Sequence, residues 1–597
     1  MVFSPDLKTK KKGFHYILIA TLALVHTQAF ALQNAAEMCT SNASDGHALA
    51  VSTPLSMQMF GEPEKIKQEA PFQLLETNDF YQINTGAGLV VEVQKHNRFG
   101  THIGTGDISS MLYHGVEYQD SLKGSQINSG FNQLYTSQNP ATVTASYVDK
   151  NHIKVVVNAG KLKHYYLFRQ GIPAIFMADT FSEEPIPNLV RFVVRVPHNT
   201  LPNGAQCSEI INNIKTVEAH DIFEMSDGEI HSKHYSNSRL KDWVYFGATG
   251  KNVGIWMIRD NNEGGSGGPF YRSLKMQGAS DQELTYIVNY GEAQTEPFRI
   301  NTLNQYTLYF TNGAPPSGLD VSWLRRMDLD HYIAKDQRGA LAFNTADHTK
   351  DSRPMTLVLN NATAQYWGDI DLQGHTVIKD IIAGNYTATL YKGELAVATQ
   401  AVEILPEKVT TLLPFKNEND PEKDSVLWRI GYWDGKPTEF LNGGQLTWMH
   451  PSDFRMQNWH VTDFRIGKQS DREFPAYLWK SVNTPIALHF NLKQVPKNAK
   501  LRIGITNAWF GGRPAIVLNR WKGQLQPMSE QPKTRTATVG TYRGRNTMFI
   551  FNIPQDVLKL GENQLQLSVI SGQQGQNFLS PGFSVDAIDI IYNPNPV

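Results

Sequence analysis

Two arginines four residues apart, in Arg191-Phe-Val-Val-Arg195, are followed by a lysine among histidines and a tyrosine, in His231-Ser-Lys-His-Tyr-Ser236. Further on come a glycine-rich stretch, Gly264-Gly-Ser-Gly-Gly-Pro-Phe270, and an acidic one, Gly291-Glu-Ala-Gln-Thr-Glu296. Guanidinium pairs bidentately with carboxylate. A lysine amine can take up a proton where nearby cations and burial favour its neutral form. This inventory suits removal of a proton beside the carboxylate of an acidic sugar.

The elements that would carry these groups read as β-structure. Val190, Phe192, Val194 and Val196 alternate with Arg191, Val193 and Arg195, so one strand face is core and the other carries the two cations. At strand rise the arginines lie roughly 13 Å apart and would meet different groups of an extended ligand. Equally, they could make ordinary ion pairs with Glu183 or Glu184. If residues 231–235 are also a strand, His231, Lys233 and Tyr235 share a face and Ser232 and His234 the other, which separates the histidines and argues against a metal. The glycine stretch permits positive φ and close backbone approach to a ligand, or simply a tight turn. It lacks the Lys-Ser or Lys-Thr of a phosphate loop. Arg272 follows and adds a cation.

Similar short β-branched runs recur through all 597 residues, separated by Gly, Asn, Pro and Asp clusters, so the chain reads as all-β sandwiches. Residues 1–31 read as a signal peptide: Lys8 to Lys12 supply cations, Tyr16 to Val25 an apolar run, and Ala29-Phe-Ala31 a cleavage site. The expected product is secreted and carries no membrane segment once the signal is removed. The remainder divides at turn-rich and charged stretches into residues 32–328, a small strand-rich unit 329–415, a charged linker 416–424, and 425–597, long enough for a jelly roll. Net charge is −1 with no basic run beyond the signal, which excludes nucleic acid as the obvious partner. Cys39 and Cys207 are the only cysteines, open to one bridge or two thiols.

The motifs together resemble the rhamnogalacturonan lyases of polysaccharide lyase family 4. Besides the stretches above, Gly171-Ile-Pro-Ala-Ile-Phe-Met-Ala178, Arg429-Ile-Gly-Tyr-Trp-Asp-Gly-Lys-Pro-Thr438, His450-Pro-Ser-Asp-Phe-Arg-Met456 and Phe578-Leu-Ser-Pro-Gly-Phe583 carry the likeness, in the family's order and over nearly the whole chain. The resemblance implies a galactose-mutarotase-like β-sandwich, a fibronectin type III-like sandwich and a carbohydrate-binding-module-like jelly roll. It implies an enzyme that cleaves the pectic polysaccharide rhamnogalacturonan I by β-elimination, without a catalytic cofactor or metal; a monomer is the separate expectation. By the same likeness Arg191 and Arg195 bind substrate and Lys233 is the base; Tyr235 and Arg272, from their residue types and places in the sequence, are further substrate-binding candidates. Where the family has a histidine this chain has Glu292, so the proton donor is open among Glu292, Tyr235 and His231. Asp586 is a candidate ligand for a structural calcium in the last domain. Trp428, Trp433, Trp448 and Trp459 are either sugar platforms or core. The alternatives are a carbohydrate-binding protein without activity, and a lyase for another acidic polysaccharide. A hydrolase using Glu292 and Glu296 as paired carboxylates is a weaker third.

Overall fold

In the computed structural model, residues 71–592 are described except 129–139, 186–188, 205–209, 211–212, 266, 279–280, 291–293, 346–351, 445–449, 533–539 and 576–579. The signal segment, Cys39, Cys207, Trp448 and Glu292 lie outside the described residues.

The first unit is built on a seven-stranded antiparallel sheet running from Tyr245–Gly250 through Asn304–Thr311 and Ala174–Phe181 to Thr142–Asp149. A four-stranded sheet lies across the core from it. Its strand Leu189–Pro197 pairs with Asp281–Tyr290 on one side and Gln126–Asn128 on the other. The alternation in this strand is obeyed. Val190, Phe192, Val194 and Val196 are completely buried in one apolar cluster with Tyr166, Met177 and Leu308 of the seven-stranded sheet. Burying a phenylalanine of this kind contributes about 2–3 kcal/mol, so the strand is fixed by its apolar face and its arginines have no freedom to rotate inward. Polar groups also penetrate this core: His164 stacks on Phe192 at 5.5 Å with neither ring nitrogen hydrogen-bonded, and the buried Asp179 carboxylate accepts from Tyr306 at 2.8 Å.

The second unit is a seven-strand sandwich of three and four strands, with Leu341, Leu357, Leu359 and Ile381 at its centre. The third packs two five-stranded sheets around Tyr477, Trp479, Leu501 and Phe583. Trp428, Trp433 and Trp459 belong to its interior, so they are core and not sugar platforms. The indole of Trp433 donates to Asp589 and that of Trp459 stacks on Tyr477. The charged stretch expected to be a plain linker is docked by its charges: the Asp420 carboxylate is sealed from solvent between Arg353 at 2.6 Å and Lys392 at 3.2 Å. Among the described residues no helix is long and apolar enough to cross a membrane.

Candidate active site

Arg191 and Arg195 project from the same face of the four-stranded sheet, but their surroundings differ. The Arg195 guanidinium donates to Glu283 at 3.2 Å and to the Gly124 carbonyl at 2.6 Å. Its ion-pair partner is thus the facing residue on the neighbouring strand, and Glu183, weighed from the sequence, pairs with Lys161 instead. Arg191 has Asn128 as a neighbour, with Nε to Oδ1 at 3.3 Å.

Lys233 does not lie in a strand. The strand Ile230–Ser232 ends just before it, and residues 233–236 form a turn. The reason is local: the Ser232 hydroxyl accepts from the His234 amide at 3.1 Å and the His234 carbonyl from the Asn237 amide at 3.0 Å, bonds that close a turn and end the ladder. The expected separation of His231, Lys233 and Tyr235 from His234 is therefore overturned. The Lys233 amine reaches Asp221 at 2.5 Å, and His234 Nε2 lies 4.0 Å from the same oxygen. Tyr235 is buried, and His231 faces Glu229 at 3.2 Å.

Asp221, which the sequence reading did not single out, is delivered by a tight hairpin between Lys215–Glu218 and Ile222–Glu224. Both preceding residues, Ala219 and His220, have positive φ, 49° and 54°. Such a two-residue turn favours glycine or asparagine, so this one is strained at two positions. Ile222, Phe223 and Ile230 of the hairpin are buried but belong to none of the main apolar clusters, and polar contacts tie the hairpin to the third unit. His450 Nε2 meets Glu218 Oε2 at 2.9 Å, with both side chains almost fully buried. The Ile230 amide donates to Asp453 at 2.9 Å, and Arg455 bridges Asp453 at 2.6 Å and Glu229 at 2.8 Å. Burial alone would raise the Asp453 carboxyl, but Arg455 and the Ile230 amide outweigh it and hold it below its ordinary value. These contacts cross more than 200 residues of sequence, and no local pattern announces them.

The lysine turn is also tied to the arginine sheet. The Ser236 hydroxyl accepts from the Met276 amide at 2.8 Å and donates to the Met276 carbonyl. Met276 pairs with Leu284, which in turn pairs with Val194 between the arginines. The turn therefore sits along the outer edge of the Met276 strand, which is itself two strands, roughly 10 Å at ordinary spacing, from the guanidinium strand.

Arg272 is placed elsewhere. It lies over the Tyr542 ring at 4.6 Å and donates to the Tyr542 hydroxyl at 2.9 Å. That hydroxyl donates to Glu394 of the middle unit, which also pairs with Arg239, so Arg272 belongs to the junction of all three units. The glycine stretch is likewise docked: the Gly268 amide donates to Gln365 and Arg299 to the Gly265 carbonyl. A Cβ at Gly264 would stand 1.9 Å from Asn304 Oδ1, so glycine is required there by packing. Glu296 is paired with Arg299 at 2.7 Å. The Asp586 carboxylate accepts from the Gly435 amide at 2.7 Å, and burial together with Asp434 raises it well above the usual range. Among the described residues no group of three or more carboxylate, histidine or cysteine side chains is arranged to hold a metal ion.

Three family models cover this architecture: "Rhamnogalacturonan lyase B, N-terminal" over residues 72–331, "Polysaccharide lyase family 4, domain II" over 337–412, and domain III of that family over 426–590. The Aspergillus niger protein named "Probable rhamnogalacturonate lyase A" is 33% identical over 87% of this chain and 96% of its own. The chain belongs to polysaccharide lyase family 4. Two further relatives, the rhamnogalacturonate lyases A of Emericella nidulans and Aspergillus aculeatus, are each 32% identical, over 85% and 87% of this lyase and 95% and 96% of their own lengths. The family boundaries put the lysine hairpin in the first domain of the lyase and its clamp, His450 to Arg455, in the third.

Proposed function

We infer that this protein is a secreted rhamnogalacturonan lyase that cleaves the rhamnose–galacturonate backbone of rhamnogalacturonan I by β-elimination. The observation that carries the reading is the amine of Lys233, oriented by Asp221 and pinned through Ser236 to the sheet that bears Arg191 and Arg195. The relatives' names supply the polysaccharide.

The C5 proton of galacturonate resists removal because the adjacent carboxylate is already negative and the enolate adds charge. Arg191 neutralises that carboxylate, where a fixed cation stabilises the charge that grows in the transition state. Arg195, already bound to Glu283 and Gly124, acts mainly by holding the strand and its neighbouring loop. Lys233, once its ammonium has passed a proton to the Asp221 carboxylate it contacts, takes the C5 proton as a free amine, the electron pair forms the C4–C5 double bond, and the C4–O4 bond breaks. In galacturonate the C5 hydrogen and O4 lie on one side of the ring, so the ammonium just formed is placed to return the proton to the departing rhamnosyl oxygen. Glu292 is the alternative donor, a role that needs its carboxyl protonated, as a nearby substrate carboxylate would favour. No step requires a cofactor or metal, because cations and a base of this chain supply each need.

Incubation with rhamnogalacturonan I tests the reading. New ends that absorb in the ultraviolet, with fragment masses summing to the parent without added water, support it. Fragments that gain water would make the protein a hydrolase, binding without new ends a non-catalytic module, and faster cleavage of homogalacturonan or a glycosaminoglycan a lyase for another acidic polymer.

A further inference from the structure

A second lysine stands on the arginine face and has no role in the chemistry above. In the four-stranded sheet Arg191 faces Ile287, Val193 faces Thr285 and Arg195 faces Glu283. On the next strand Met276 pairs with Leu284 and Gln277 with Glu283, which sets Lys275 beside Thr285. The Thr285 amide confirms that register by donating to the Lys275 carbonyl at 2.7 Å. Paired residues of an antiparallel ladder project from the same side. Lys275 therefore lies on the side that carries Arg191, Val193 and Arg195, while Met276 and Leu284 enter the core.

Lys275 is 8% exposed. Among the described residues no hydrogen bond or ion pair engages its Nζ, and that atom is not one of the sealed polar atoms without partners, so it retains access to solvent. Asp242, the acidic group that acts on it, is committed to Arg239 by two contacts of 2.7 and 3.0 Å. On its own face Glu283 is already shared by Arg195 and Gln277. Burial pulls the amine down to about 8, against a weaker opposing pull from Asp242. An enclosed amine without a counter-ion is costly unless something anionic arrives, and an amine so placed gains more from an incoming carboxylate than a solvated one does.

We propose that Lys275 is a substrate-binding residue whose Nζ pairs with a uronate carboxylate of the polysaccharide, on the same sheet face as Arg191. With Arg191 it forms a two-point anion reader, two strands and one residue row apart, matched to a polymer that repeats its carboxylates. This rests on the lyase reading above, and the test separates the two.

Titration calorimetry on the Lys233→Ala protein measures binding of a rhamnogalacturonan I hexasaccharide and of the same oligosaccharide with its carboxyl groups reduced to alcohols. Adding Lys275→Met should weaken the acidic ligand at least tenfold and leave the reduced ligand within twofold. Equal loss for both ligands, or none for either, would overturn the proposal, the first result marking Lys275 as a packing residue. Lys275→Gln, close in length and polar, guards against misfolding and should reproduce the selective loss. Cleavage of the hexasaccharide by the Lys233→Ala protein during the titration would instead count against Lys233 as the base; the comparison is then repeated as kcat/KM, in which Lys275→Met must still penalise only the acidic substrate.

Discussion

The arginine strand and the lysine hairpin are stabilised in opposite ways. Leu189–Pro197 is locked by its own apolar face, with four side chains fully buried against the facing sheet. The hairpin ending at Ser232 has a strained turn, a short ladder and buried side chains outside the main apolar clusters, and it is tied to His450, Asp453 and Arg455 of another domain. A site that needs cations at fixed points and an amine at a fixed point obtains the first from local burial and the second from domain assembly. On the proposed mechanism the third domain therefore helps position the base, through His450, Asp453 and Arg455.

This contrast can be broken from either side. The largest effect is expected for Phe192→Ala, which empties a core position and should cost about 3–5 kcal/mol of stability in denaturant unfolding, with activity lost only as the sandwich unfolds. Asp453→Ala should behave differently. It leaves the Ile230 amide without its acceptor and Arg455 with Glu229 but no Asp453 carboxylate, a loss of about 1.5–3 kcal/mol concentrated on the hairpin. kcat should fall about tenfold at temperatures where near-ultraviolet circular dichroism shows the sandwich intact. Loss of structure and activity together would mean the clamp serves folding alone.

His164 sharpens the same comparison through pH. Burial lowers its ring to about 3 from the ordinary 6.5, so below pH 6.5 the unfolded chain binds a proton that the native ring refuses. Its contribution is intact above about 6.5 and is lost toward pH 3, at up to about 1.4 kcal/mol per pH unit. Asp179, raised to about 7 by burial, runs the other way, its contribution declining as pH rises from the ordinary 3.8 to 7. Subtracting the stability curve of His164→Phe from that of the native protein isolates the histidine, and the difference should grow only on the acid side. The smallest effect is expected for Ala219→Gly. It relieves one strained position, so hydrogen exchange of the hairpin amides should slow by up to about fivefold, equivalent to about 1 kcal/mol.

The sequence disclosed what local periodicity governs. The alternation of residues 190–196 showed which side chains are core and which are displayed, because a half-buried strand has period two. Residues 231–235 misled for the same reason: strand period was extended past Ser232, whose hydroxyl in fact stops the ladder. Arg272 looked like a neighbour of the glycine stretch, yet its partner Tyr542 is 270 residues distant. Asp221 and Glu218 carried no signal, and Asp453 stood in the His450–Met456 stretch with no sign of its partner, since an acidic residue in a turn reads as surface until a distant chain segment covers it. Lys275 was hidden by its position just before a two-residue strand, too short to show alternation, and only the ladder register reveals its face.

Turnover of the Lys233→Ala protein on rhamnogalacturonan I, followed by ultraviolet absorbance of unsaturated uronate ends, tests the central claim most directly. With circular dichroism matching the native protein, kcat should drop by about 10²–10⁴, the usual contribution of a positioned base. Turnover within a few-fold of the native rate would place the proton-removing group elsewhere on the molecule.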